Sequence, residues 1–136
     1  MDSTFNFKSC KELIHSGCSE LTYVIDGLLA QGVYLLAAPP KTGKTWMALD
    51  MAISVSSGTS FIGRKTTQGT VLYLSYDDNE NRITRRLKKM GCKDDTDVYF
   101  DFDPTSKSVE DDFLALISCA KETLPNLSFV VVDVLN

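Results

Sequence analysis

The run Ala38-Pro39-Pro40-Lys41-Thr42-Gly43-Lys44-Thr45 carries the residue types needed to hold a polyphosphate. It fits the phosphate-binding loop pattern G-x-x-x-x-G-K-[ST], with Ala38 in the first glycine position. Backbone N–H groups in such a loop, together with the helix N-terminus that follows it, offer unpaired donors and a positive dipole end to an anion. Gly43 is expected to let the backbone close around a β-phosphate where a side chain would intrude. Lys44 supplies a point charge for β- and γ-oxygens, and the Thr45 hydroxyl is a hard oxygen ligand suited to Mg²⁺. Pro39 and Pro40 stiffen the loop and remove two N–H donors. Trp46 directly follows and counts with the loop as part of the nucleotide-binding stretch, its ring reading as packing rather than as a platform for a base.

Two further carboxylate positions complete a candidate site. Val130-Val131-Val132-Asp133 is an apolar strand delivering an Asp at its C-terminal end, a second anchor for a metal held by Thr45. Leu74-Ser75-Tyr76-Asp77-Asp78 leaves another strand at the same edge, where ligands of open parallel sheets sit. Asp77 is the expected general base for an attacking water, and Asp78 the expected cap of the next helix.

The elements that must position these residues alternate. Ser9 with Glu12 has the form of a capping box for a short helix to Ser16. Residues 1–30 read as an approach segment and 31–136 as the nucleotide-binding core of a single domain. Val33–Ala38 is a continuous apolar run, expected as a strand buried on both faces. A helix is expected from Gly43 to Val55, a strand from Thr70 to Tyr76, a helix from Asp77 to Met90 and a strand from Asp97 to Phe102. Ser108 and Asp111 open a further helix, with Val109, Phe113, Leu116, Ile117, Ala120 and Leu124 on one face and Pro125 as its stop. Phe129–Asp133 is the last strand. This order predicts an α/β fold, a parallel sheet flanked by helices with right-handed crossovers. Arg82, Arg85, Arg86, Lys88 and Lys89 read as a solvated helix face.

Composition bounds the classes. The 136 residues are 43% hydrophobic and 24% charged with net charge −4, the usage of an ordinary globular domain. Weak acidity argues against bulk nucleic-acid binding. No apolar run reaches the roughly 18 residues of a membrane span, and Met1–Asn6 lacks the pattern of an export signal. Cys10, Cys18, Cys92 and Cys119 form no C-x-x-C pair and have one histidine, His15, for company, which disfavours zinc and points to reduced thiols in a cytoplasmic protein.

From about Tyr23 to Asn136 the chain resembles the AAA-family ATPases related to RepA-type hexameric replicative helicases, within the RecA/DnaB/KaiC-like P-loop NTPases. The resemblance is carried by Gly32–Leu49 around Pro40-Lys41-Thr42-Gly43-Lys44-Thr45-Trp46, by Phe61–Arg64, by Gly69–Leu74, and by Asn81–Leu87 after the acidic pair. It implies ATP and Mg²⁺ as ligands, hydrolysis between subunits of a homo-oligomeric ring, and a role in DNA replication of plasmids, phages or other mobile elements. Ala38 stands where the family usually has Gly, and Asp77 where it usually has Glu. The chain stops at Asn136, three residues past Asp133, before the family's later strands, arginine finger and nucleic-acid loops. The expectation is therefore a RecA-like domain incomplete at its C-terminal end, the first part of a longer protein or a truncated product. One of those later strands lies between the loop strand and the Asp133 strand, so a gap in the sheet is expected. A nucleotide-binding module that docks on a partner without turnover is the alternative.

Overall fold

The computed structural model describes residues 6–17, 20–102 and 111–133, with backbone alone for 111–113. Ser9 caps α1 (Cys10–His15) through the expected box: its hydroxyl accepts from the Glu12 N–H at 3.1 Å, and the Glu12 carboxylate accepts from the Ser9 N–H at 3.3 Å. The approach segment then folds into an antiparallel pair, β1 (Tyr23–Ile25) and β2 (Leu29–Ala30). Strands this short carry no readable alternation, and none was expected here.

The order continues with α2 (Lys44–Ser57), β3 (Thr70–Ser75), α3 (Glu80–Lys89), β4 (Val98–Asp101), α4 (Asp111–Thr123) and β5 (Leu127–Asp133). Ser108 and Val109 lie outside the described residues. The main sheet has the order β4-β3-β5, with both pairings parallel. β3 is the central strand and is buried along its whole length. Its pleat assigns Val71 and Tyr73 to one face, where they pack with Leu49, Ala52 and Val55 of α2 and Ile83 of α3. Leu72 and Leu74 take the other face, against Ala120, Leu116 and Ile117 of α4. Helices thus cover both faces of a parallel sheet, the expected α/β architecture. Gly69 at the entrance to β3 comes so close to Ser128 that an added Cβ would lie 2.2 Å from its hydroxyl oxygen.

One expected strand is absent. Residues 33–38 adopt no regular structure and pair with no strand, and Val33 and Leu35 are 100% and 91% exposed. An apolar run becomes a strand only where a neighbour takes its N–H and C=O groups. Among the described residues β5 pairs with β3 alone, and no strand lies beside 33–38.

Candidate functional site

Three groups meet at the C-terminal edge of the sheet. The first is the loop before α2. The Thr42 hydroxyl donates to the Pro39 carbonyl at 2.7 Å and closes the turn. Lys41 (φ 62°) and Gly43 (φ 93°) are both left-handed, and Gly43 is the N-cap of α2. No protein atom crowds a Cβ placed at Gly43, and its left-handed backbone is what favours glycine within the chain itself. Among the described residues no side chain caps α2, and its first turn holds no acidic residue. Its leading N–H groups and dipole end, beside Lys44, are an arrangement suited to an anion.

The second group is built across the core. β5 runs beside β3 with Asp133 opposite Ser75 and Val131 opposite Tyr73, so Asp133, Val131, Tyr73 and Ser75 share the face that α2 covers. Thr45 in the first turn of α2 donates its hydroxyl to Asp133 Oδ2 at 3.0 Å. The Tyr73 hydroxyl donates to the same oxygen at 2.8 Å. Burial first, then the Asp133 carboxylate, pushes the Tyr73 hydroxyl well above the ordinary phenol range, so it remains a donor. Thr45 and Asp133, the two residues expected at a metal, are thus brought together. Tyr73 was missed, because a tyrosine inside an apolar strand reads as core and its partner lies 60 residues away.

The third group lies after β3. Helix α3 begins at Glu80 rather than at the acidic pair, and its cap is Asn79, whose side chain accepts from the Arg82 N–H at 2.9 Å. Asp78 therefore does not cap. Its carboxylate, 7% exposed, takes Arg82 at 3.2 Å and Arg86 on its two oxygens. The Arg86 guanidinium also lies over the Trp46 ring, 5.5 Å from its centre. Two of the five basic residues read as a solvated face thus hold the turn after β3, and Arg86 ties that turn to the first turn of α2. The spacing signal was there: Asp78, Arg82 and Arg86 recur every four residues. Asp77 sits in the same turn, half-buried. Neither Asp77 nor Lys44 makes a side-chain hydrogen bond or ion pair among the described residues.

A parallel α/β sheet, a glycine-capped loop before a buried helix, and a hydroxyl–carboxylate pair joining that helix to a neighbouring strand define the P-loop class of α/β nucleotide-binding domain. The family model AAA_25, an AAA domain, matches residues 4–136, and the chain belongs to that family, whose domain is a nucleotide-binding ATPase module. Neither a curated protein nor a solved structure gave a match. Among the described residues no helix is long and apolar enough to cross a membrane.

The family implies a divalent cation with its nucleotide, and the donor set fits one. Mg²⁺ is commonly held by one or two protein oxygens plus substrate phosphates rather than by an all-protein cage. One carboxylate and one hydroxyl, 3.0 Å apart beside the loop, meet that requirement.

Proposed function

We propose that this chain is the ATP-binding module of a RepA-like ring ATPase, binding Mg-ATP through residues 38–46. The observation that carries the reading is the Thr45–Asp133 hydrogen bond, which joins the loop helix to the end of β5 across 88 residues of sequence. The backbone of Ala38–Gly43 and the N-terminus of α2 would bind the β-phosphate, with the Lys44 ammonium on the terminal oxygens. Thr45 and Asp133 would hold Mg²⁺, which supplies charge neutralisation at the β- and γ-oxygens. Asp77, leaving β3 at the same edge, would orient the attacking water and accept its proton. Trp46 serves as packing under Arg86. The motif resemblance supports a homo-oligomeric ring and a role in DNA replication.

A second reading, a module that binds ATP without turning it over, is favoured by Asp77. Its side chain is one methylene shorter than the Glu usual in the resembling helicases, and no hydrogen bond among the described residues orients it.

The test is a thermal melt of the full chain with and without Mg-ATP. A ligand that binds only the folded state adds about 2.7 kcal/mol at a hundredfold excess over its dissociation constant. The melting temperature is expected to rise in the wild type and not in Lys44→Ala; no rise in the wild type would sink the nucleotide reading. Phosphate release that disappears in Asp77→Asn would select hydrolysis, and binding with no release would select the second reading.

A further inference from the structure

We infer that Tyr73 is a positioning residue for the metal-holding carboxylate, a role its place in the core conceals. The inference rests on the Mg-ATP reading of Thr45 and Asp133.

Tyr73 is fully buried in the central strand. Its ring is held from the side by Phe100 of β4, centroids 5.3 Å apart, and Phe100 is stacked on Phe102 at 5.8 Å. That packing leaves the phenol little rotational choice and carries its hydroxyl to the polar end of the sheet. There it donates to Asp133 Oδ2 at 2.8 Å, on the oxygen that also accepts from Thr45 at 3.0 Å. Neither donor falls on Oδ1. Two fixed donors on one oxygen set the plane of the carboxylate before any metal arrives. One donor comes from the first turn of the loop helix, beside the phosphate-binding loop; the other comes from the central strand. Tyr73 is thus the anchor that keeps Asp133 aimed if Thr45 turns toward a cation. A phenylalanine would fill the same space and lose only this bond, so burial alone does not explain the hydroxyl. Outer partners of this kind tune metal affinity by about 10–100-fold.

The experiment is a Mg²⁺ titration of the ATP-dependent rise in melting temperature, using the full chain. In Tyr73→Phe the Mg²⁺ concentration for half the rise is expected to increase by about tenfold, with the response to ATP in chelator unchanged. In an Asp133→Asn background the same substitution should add nothing, because Tyr73 acts through that carboxylate. An equal effect in both backgrounds, or an unchanged Mg²⁺ midpoint, would overturn the inference. Where Tyr73→Phe does not fold, the unmodified protein still decides. Its buried Tyr73 hydroxyl proton should shift in the NMR spectrum when Mg²⁺ joins ATP, and a resonance that stays put counts against the role. If the wild type itself shows no Mg-ATP response, the Mg-ATP reading fails and this inference falls with it. If the wild type responds, Lys44→Ala does not, and Tyr73→Phe matches the wild type, the inference alone fails.

Discussion

Two apolar segments lead toward the loop edge of the fold, residues 33–38 and β3, and they meet opposite surroundings. β3 has a parallel strand on each side, α2 and α3 over one face and α4 over the other. Among the described residues no strand lies beside 33–38, and Val33, Tyr34, Leu35 and Leu36 are exposed. Hydrophobicity is the same in kind, so it does not separate them. A strand is held in place by its neighbours, through about 0.5–1.5 kcal/mol per net hydrogen bond and the burial that pairing permits. The candidate site inherits the contrast. Its carboxylate side, Thr45, Asp133 and Tyr73, is built on β3, β5 and α2. Its loop side, Ala38–Thr42, is attached to the unpaired segment.

Truncation on the two sides should differ most. Leu74→Ala, in the fully buried strand, is expected to cost about 4 kcal/mol in urea unfolding. Leu35→Ala, at an exposed position, should stay within about 0.5 kcal/mol. Equal costs would break the comparison.

The arginines of α3 give a smaller, sharper version. Arg86 is 20% exposed and Arg82 62%, yet both reach the Asp78 carboxylate. Arg86→Ala leaves that carboxylate buried without its better partner and should cost about 2 kcal/mol, a buried-pair penalty reduced by partial solvent access. It should also change the fluorescence of Trp46, the single tryptophan, through loss of the overlying guanidinium. Arg82→Ala should cost about 0.5 kcal/mol and leave the fluorescence as it was. The reverse order would show that Asp78 is held from the exposed side.

The smallest effect at neutral pH belongs to the Tyr73 hydroxyl. Its folded-state pKa is raised above the ordinary value of 10.0, chiefly by burial. A raised value means the stabilisation is fully present below about pH 10 and is lost as the pH climbs past it. Stability measured between pH 9 and 11 should therefore fall more steeply in the wild type than in Tyr73→Phe. Parallel curves would place the hydroxyl in solvent.

Much of this was legible in residues. The capping box at Ser9 and Glu12, the helix after Gly43 and the strands expected at 70–76 and 129–133 follow from local chemistry and apolar runs, and they formed, with β3 ending at Ser75 and β5 starting at Leu127. Thr45 and Asp133 were legible as a pair because a loop-and-strand pattern states where both must end. What was hidden depends on partners distant in sequence. Asp78 obeys a local preference for helix caps, but Asn79 takes that place and the arginines claim its carboxylate. Tyr73 is a core residue by every local rule, and only the parallel register of β3 and β5 brings its hydroxyl to Asp133. The strand expected at 33–38 failed for the same reason, since pairing is a property of the neighbour.

Backbone amide hydrogen exchange of the full chain, with and without Mg-ATP, tests the account most directly. It predicts slow exchange in residues 70–75 and fast exchange in 33–38 and 41–42 without ligand, with Mg-ATP slowing residues 41–47. Residues 33–38 as protected as 70–75, or no slowing at 41–47 under saturating Mg-ATP, would contradict it.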